Sequence, residues 1–95
     1  MTKAEIISCL QSRKPAFISG FGIESIGIFG SVARDEATEH SDVDVVVQMP
    51  PSFKAFIELQ SELEKAFERR VDLVTLHNNM RPRFEKRILK EAIFV

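Results

Sequence analysis

The sequence predicts an α+β fold in which helices pack against one small mixed β-sheet. Apolar residues recur at helical intervals in some segments and at alternate positions in others, and these segments follow one another as helix, strand, strand, helix, strand, helix. The 95 residues, of which 44% are hydrophobic and 28% charged, are enough for one globular domain with a small core. We therefore expect residues 1–95 to form a single domain.

The first helix is predicted to begin near Lys3. Thr2 and Glu5 have the spacing of a capping box, in which each side chain accepts a hydrogen bond from the other residue's backbone N–H. Apolar residues then recur at helical intervals: Ala4, Ile7 and Leu10. Pro15 is expected to interrupt this helix, because proline lacks a backbone N–H, and a short second helical piece is expected over residues 16–19.

Two strands are predicted next, in ESIGIFG (24–30) and DVDVVVQ (42–48). In the first, Ile26 and Ile28 share a face and Gly30 ends the strand. In the second, alternate valines share one face, which leaves Asp42 and Asp44 together on the other because side chains alternate along a strand. Burying carboxylates beside such valines would be costly unless a cation offsets their charge.

The second half of the chain predicts a helix, a third strand and a last helix. Ser52 is expected to cap a helix whose core stripe comprises Phe53, Phe56, Ile57, Leu63 and Phe67. The segment RVDLVTL (70–76) predicts a strand with Asp72 and Val74 on the face opposite Val71, Leu73 and Thr75. The last helix is expected from Pro82, with an apolar seam of Phe84, Ile88 and Ala92, and residues 92–95 could add an edge strand or an interface.

Three aspartates are candidate metal ligands. Asp42 and Asp44 lie two residues apart on one strand face, where alpha carbons are about 7 Å apart. If the third strand pairs with the second, Asp72 completes a carboxylate triad. Oxygen ligands of this kind suit Mg²⁺ rather than zinc, and cysteine or histidine clusters are absent from the sequence. Cations held there could polarise a triphosphate, while a carboxylate accepts the proton of an attacking hydroxyl.

A phosphate-binding turn is predicted beside these aspartates. Gly30 and Ser31 stand where a strand turns into a helix, which exposes backbone N–H groups to phosphate oxygens. Ser31 adds a hydroxyl donor, and Arg34, one helical turn later, can offer its guanidinium to phosphate charge.

These segments, GSVAR (30–34), SDVD (41–44) and VDLV (71–74), together resemble the signature of nucleotidyltransferases of the DNA polymerase β superfamily. The resemblance extends over nearly the whole chain and points to the minimal nucleotidyltransferase subfamily, which lacks the accessory domains of larger members. It implies a mixed sheet, Mg²⁺ and transfer of a nucleoside monophosphate from a nucleoside triphosphate. It further implies that Gly30 and Ser31 contact phosphates, and that Asp42, Asp44 and Asp72 are the carboxylates of the metal site.

Many minimal members of that family are antitoxins paired with a helical HEPN ribonuclease toxin, and some silence the toxin by transferring AMP to one of its tyrosines. The resemblance therefore implies an enzyme, a Mg²⁺-dependent protein adenylyltransferase that uses ATP and forms a hetero-oligomer with a HEPN-type toxin. Because the chain contains no tyrosine, a modified tyrosine must belong to another polypeptide.

One position departs from the family pattern. Asp35 follows Arg34, where the family usually has glycine. A left-handed backbone is expected there, which aspartate tolerates at some cost. Its negative charge would also lie close to incoming phosphates, a feature that bears on the turnover rate.

Two other functions stay open from the sequence alone. The same fold could neutralise a toxin by contact, without transferring a nucleotide. It could instead transfer a nucleotide to a small molecule, as antibiotic-modifying relatives do, although a minimal core offers little surface for a dedicated pocket. Four of the site residues also have a structural alternative: a turn for Asp42, an edge charge for Asp44, a helix cap for Ser31 and a solvated position for Arg34.

Composition excludes some partners and assigns no role to several reactive residues. A net charge of −1 gives no general attraction to nucleic acid or membrane, and neither a secretory leader nor an apolar run of about 20 residues is visible, so we expect a cytoplasmic protein. Basic residues towards the C-terminus alternate with glutamates, which favours a solvated surface or an interface with an acidic partner over nucleic-acid binding. These basic residues are Arg69, Arg70, Arg81, Arg83, Lys86, Arg87 and Lys90. No chemical role is predicted for Cys9, His40 and His77.

Overall fold

The computed structural model describes residues 1–77 and 80–95, and it confirms the α+β prediction. Within these residues the elements are α1 (Lys3–Phe21), β1 (Ser25–Phe29), α2 (Gly30–Ala33), β2 (Val43–Gln48), α3 (Phe53–Phe67), β3 (Val71–Thr75), α4 (Pro82–Glu91) and β4 (Ile93–Phe94). The capping box of Thr2 and Glu5 and the Ser52 cap form as expected, and the C-terminal segment adds an edge strand.

The four strands form one mixed sheet in the order β3-β2-β1-β4. β1 runs antiparallel to both β2 and β4, whereas β2 and β3 are parallel and are connected by α3. A parallel pair needs such a crossover because its two strands must start at the same end of the sheet. At the outer edge of β3, Gln60 donates to the carbonyl of Val71 (2.9 Å), and the Val71 N–H donates to Glu64 (3.0 Å).

The two faces of the sheet have different roles. The main core covers one face, where α1 and α3 pack on the apolar side chains of the strands: Ile26, Ile28, Val43, Val45, Val47, Val71 and Leu73. A smaller cluster covers part of the other face, where Ile88 of α4 packs with Phe29 and Val46. This second face also carries Asp44 and Asp72, because both alternate with the core residues along their strands.

The predicted break at Pro15 is wrong, because α1 continues through this residue to Phe21. Pro15 is exposed, so water can bond the carbonyl group that loses its helical donor. The buried residues Leu10 and Phe17 hold the two halves of the helix against the core. The helix ends at Gly22, whose φ of 69° is left-handed and whose N–H donates to the Ile18 carbonyl (3.0 Å).

The predicted core stripe of α3 is partly wrong. Leu63 and Phe67 are buried as expected, but Leu59 is the third core residue, and Phe53 is 83% exposed. On a helix with 3.6 residues per turn, Phe53 projects about 120° away from Leu59. Ile57, two residues before Leu59, lies on nearly the opposite side and is 45% exposed. In α1, similarly, Ile6 is buried whereas Ala4 is exposed.

Gly27 allows β4 to pair closely with β1. A Cβ atom at this position would lie 2.5 Å from the carbonyl oxygen of Ile93 and 2.9 Å from the Cα of Phe94. We expect Gly27→Ala to lower the free energy of unfolding by about 1–3 kcal/mol, because backbone must move to admit the methyl group. Urea denaturation followed by circular dichroism measures the change.

Gly20→Ala is the matched control for this substitution. Gly20 is exposed near the end of α1, and a methyl group at this position would have no neighbouring heavy atom within 4 Å. Alanine there should raise the free energy of unfolding by up to about 1 kcal/mol through its helix propensity. Equal effects of the two substitutions would contradict the close approach of β4 at Gly27.

Candidate functional site

The structure places Asp44 and Asp72 side by side. Asp44 on β2 pairs in register with Asp72 on the parallel strand β3, so both side chains leave the same face of the sheet on strands about 4.8 Å apart. Asp44 is half-buried and Asp72 is exposed. Asp42 immediately precedes β2 and is exposed, so it lies beside this pair without belonging to the strand ladder.

Gly30 brings the phosphate-binding turn against Asp44. The residue has a left-handed φ of 69°, and a Cβ atom there would overlap the Asp44 carboxylate. Glycine is therefore required both by the backbone conformation and by the available space. The chain enters α2 at this point, which places Ser31 half-buried next to the carboxylates. The N-cap position of α2 is occupied by Phe29, so the alternative that Ser31 merely caps this helix is wrong.

These groups line a pocket of about 250 Å³. It is bounded by β1, β2 and β3 on the sheet side, by the turn into α2, and by α4 across the opening. The lining residues are Phe29, Gly30, Ser31, Arg34, Asp44, Asp72, Phe84, Arg87, Ile88 and Glu91. The pocket thus brings together every site residue predicted from the sequence except Asp42.

Electrostatic repulsion acts on the carboxylates of the pocket. Burial raises the pKa of Asp44 above its ordinary value, and the negative charges of Asp72 and Asp42 raise this pKa further. The guanidinium groups of Arg34 and Arg87 oppose the shift. Asp42 therefore lies close enough to interact electrostatically with Asp44, although it does not line the pocket.

An ion-pair cluster links α2 to α4 at the pocket wall. Arg34 donates to Glu36 (3.1 Å) and to Glu91 (3.0 Å), and Arg87 donates to Glu91 at 3.5 Å. The carboxylate of Glu91 thus holds both arginines at the pocket. Arg34 therefore makes intramolecular ion pairs while it lines the pocket, whereas the sequence suggests only a solvated helix residue or a phosphate ligand.

The residues that α4 contributes to the pocket are not identified by the sequence pattern. The sequence pattern places Arg87 among the basic residues of a solvated surface or an acidic-partner interface, and it assigns neither Phe84 nor Glu91 to the site. The four-residue spacing of Arg87 and Glu91 is visible in the sequence and indicates an ion pair on one helix face. Only the packing of Ile88 against the sheet shows that this face meets the carboxylates.

Asp35 lies away from these carboxylates. Its φ of 59° confirms the expected left-handed backbone at the position where the family usually has glycine. The side chain is 71% exposed and pairs with Lys3 at 3.2 Å. Its negative charge is therefore partly neutralised and well solvated, which limits its effect on a bound phosphate.

The donor set fits a divalent cation in part. Within residues 1–77 and 80–95, no three His, Cys, Asp or Glu side chains already converge as metal ligands. Asp44 and Asp72 nevertheless present adjacent carboxylate oxygens, the ligands that Mg²⁺ prefers, and a cation between them would relieve the repulsion that raises the pKa of Asp44. Asp42 is the neighbouring group that can complete such a site.

No helix in the part of the chain that the structure describes is both long and apolar enough to cross a membrane.

Comparisons with known proteins place the chain in one family. The model of the family described as Polymerase beta, Nucleotidyltransferase matches residues 5–95. The chain is 40% identical over 97 residues to the protein adenylyltransferase MntA of Thermococcus cleftensis, a match that covers 100% of this chain and 97% of that protein.

Solved structures of related proteins share the fold of this chain. A structure described as a minimal nucleotidyltransferase is 32% identical and superposes with a TM-score of 0.75 over 98% of this chain and 95% of its own. A second structure holds a tri-AMPylated Shewanella oneidensis HEPN toxin in complex with an MNT antitoxin. It matches at 22% identity with a TM-score of 0.59, over 97% of this chain and 66% of that chain, and at this identity it supports the fold alone.

The raised pKa of Asp44 gives a pH-dependent prediction. The folded chain holds the Asp44 proton to a higher pH than the unfolded chain does, so ionisation of this group opposes folding. The free-energy cost of ionising Asp44 in the folded chain is absent when the pH is below the ordinary pKa of 3.8, and it is fully present when the pH is above the raised pKa. In metal-free buffer at neutral pH, Asp44→Asn should therefore have a higher free energy of unfolding than the parent, and this advantage should vanish as the pH falls towards 3.8.

Urea denaturation with EDTA across this pH range measures the difference. Asp35→Asn is the control, because Asp35 is exposed and outside the carboxylate pair. An Asp44→Asn variant that is no more stable than the parent at any pH would contradict the raised pKa of Asp44.

Proposed function

We propose, because the chain belongs to the Polymerase beta nucleotidyltransferase family, that it transfers AMP from ATP to a hydroxyl group of a partner protein. The observation that carries this proposal is the in-register pair Asp44 and Asp72, which faces a pocket also lined by the Gly30–Ser31 turn. A carboxylate pair beside a glycine-serine turn suits the transfer of a nucleoside monophosphate from a triphosphate. The relative that is 40% identical is named a protein adenylyltransferase, which supports a protein as the acceptor.

The charges of the pocket favour a divalent cation as cofactor. Asp44, Asp72 and Glu91 contribute three carboxylates and Arg34 and Arg87 contribute two guanidinium groups, which leaves one net negative charge. A triphosphate would be repelled by this pocket unless a cation bound with it. Mg²⁺, held by Asp44 and Asp72 with Asp42 beside them, would supply that charge and stabilise the charge that develops during transfer.

The residues of the chain itself have separable roles in this proposal. Gly30 leaves room for the Asp44 carboxylate to lie against the turn, and Ser31 offers its hydroxyl and backbone N–H as donors to phosphate oxygens. Arg34 and Arg87 offset negative charge at the pocket wall. Asp72 is exposed at the opening, where it can accept a proton from an incoming hydroxyl or act only as a metal ligand.

A HEPN-type toxin is the proposed partner. The structure of an MNT antitoxin with an AMPylated HEPN toxin has the same fold as this chain, and the match covers 97% of this chain. This chain contains no tyrosine, so an acceptor tyrosine would lie on the partner. The protein would then act as an antitoxin that silences its partner by attaching AMP.

The double variant Asp42→Asn with Asp44→Asn tests the metal assignment. We expect it to lose at least about 100-fold in the rate of AMP transfer, the loss typical of removing one strong electrostatic stabiliser. The fold should be retained, because the substitution removes like charges and keeps the side-chain shapes. Intact-mass analysis of the co-purified partner, with and without Mg²⁺ and ATP, measures the transfer.

The same variant separates transfer from neutralisation by contact. If the partner gains AMP only when both Mg²⁺ and ATP are present, and only with the parent chain, the proposal is supported. A partner that stays unmodified while the double variant still protects cells would instead favour an antitoxin that acts by binding alone. Unchanged transfer by the double variant would sink the metal assignment.

Asp35→Gly tests whether the departure from the family pattern affects catalysis. Since Asp35 is exposed, paired with Lys3 and absent from the residues that line the pocket, the substitution should change the rate of AMP transfer by less than about twofold. Glycine also suits the left-handed backbone at this position. Steady-state rates at saturating and at low ATP provide the measurement, and a gain of tenfold or more would show that the Asp35 charge opposes the nucleotide.

A further inference from the structure

We propose that Arg69 is a positioning residue that fixes the backbone around Asp42 and so sets the third carboxylate of the metal site. The effect of Arg69 on metal binding and AMP transfer rests on the proposed function, whereas its effect on the backbone around Asp42 does not. Asp42 needs such support because it precedes β2 and is exposed, so the strand ladder that fixes Asp44 does not include it.

Arg69 makes three hydrogen bonds to the loop that leads to Asp42. Its Nε donates to the Ser41 carbonyl (3.1 Å), its Nη2 donates to the same carbonyl, and Nη2 also donates to the Thr38 carbonyl (2.9 Å). The loop is closed by its own bonds as well, since the Thr38 N–H donates to the Ser41 hydroxyl (3.0 Å) and the Ser41 N–H donates to the Thr38 carbonyl (3.1 Å). The guanidinium therefore holds a compact turn against the start of β3.

The backbone is held on both sides of Asp42 by consecutive residues. Arg69 binds the carbonyl of Ser41, and the carbonyl of Arg70 accepts the N–H of Val43 (3.0 Å). Asp42 lies between these two anchors. The start of β3 thus positions Asp42 through backbone contacts, while it positions Asp72 two residues further on through the strand itself. Residues 69–72 thereby position the carboxylates of both Asp42 and Asp72, which flank Asp44.

The geometry of these bonds requires the guanidinium group. The guanidinium holds its Nε–H and Nη2–H donors in one plane at a fixed spacing, whereas the ammonium of lysine carries its three N–H donors on a single nitrogen and cannot reproduce that arrangement. Glu68, with a left-handed φ of 53°, turns the chain out of α3 and directs Arg69 towards the loop. With these donors engaged within the chain, Arg69 does not belong to a free basic surface, and its grouping with the other C-terminal basic residues is wrong.

The experiment compares Arg69→Gln and Arg69→Lys with Arg70→Gln. Arg70 is the matched control, because it is the adjacent exposed arginine and its anchoring group is a backbone carbonyl that the substitution retains. In metal-free protein, hydrogen exchange at the amides of Ser41 and Val43 should be at least about tenfold faster in both Arg69 variants, because local opening becomes easier, and unchanged in Arg70→Gln. Titration with Mn²⁺ alone should give a dissociation constant about 10–100-fold higher for the Arg69 variants, the usual cost of losing a group that orients a ligand.

A double-mutant cycle separates positioning from general destabilisation. If Arg69 acts through Asp42, then Arg69→Gln should weaken Mn²⁺ binding much less in an Asp42→Asn background than in the parent. A purely structural loss would weaken binding equally in both backgrounds and would overturn the inference. The inference would also be overturned if Arg69→Lys had the same amide exchange and the same Mn²⁺ affinity as Arg70→Gln. This comparison remains available if Arg69→Gln fails to fold.

The exchange measurement needs no metal and no partner. If the parent chain bound no Mn²⁺, that result would count against the proposed function, while faster exchange at Ser41 and Val43 in the Arg69 variants would still support the positioning role of Arg69. If the parent bound Mn²⁺ and transferred AMP with unchanged exchange in the Arg69 variants, only this positioning role would be overturned.

Discussion

The parallel pairing of β2 with β3 is the constraint on which the candidate site depends. It places Asp44 directly opposite Asp72, and a shift of one residue in this register would turn one of the two carboxylates towards the opposite face. The crossover through α3 makes the parallel arrangement possible, and the buried residues Leu59 and Leu63 fix α3 against the sheet. Packing on one face of the sheet therefore determines the chemistry that is available on the other.

The site is electrostatically unfavourable, and the rest of the fold stabilises it. Half-burying Asp44 beside Asp72 raises its pKa, so the ionised pair opposes folding. Burial of Val43, Val45 and Val47 on the opposite face offsets this cost, because each buried aliphatic side chain contributes about 1.5–3 kcal/mol. β2 can thus remain folded although it carries a half-buried carboxylate on the face opposite these three valines.

Much of this arrangement could be predicted from the sequence because it follows from the two-residue period of strands. That period alone places Asp44 on the face opposite Val43, Val45 and Val47, and the Gly30–Ser31 turn brings Ser31 to the same pocket. The predictions from the sequence are wrong or incomplete where tertiary packing decides the position of a residue. Pro15 is accommodated because it faces solvent, and the roles of Arg87 and Glu91 depend on how α4 crosses the sheet, which no local pattern specifies. The family is confirmed, whereas the roles of the individual site residues stay predictions.

The caps that Gln60 and Glu64 place on Val71 also affect how this sheet can meet another polypeptide. An unprotected edge strand invites a neighbouring chain to add its own strand, which is a common route to fibrous aggregation. Here the first outward-facing backbone groups of β3 are already bonded to α3, so an added strand would have to displace two side chains at the end next to Asp72. Sheet extension by another chain is therefore disfavoured at the end of β3 that carries Asp72.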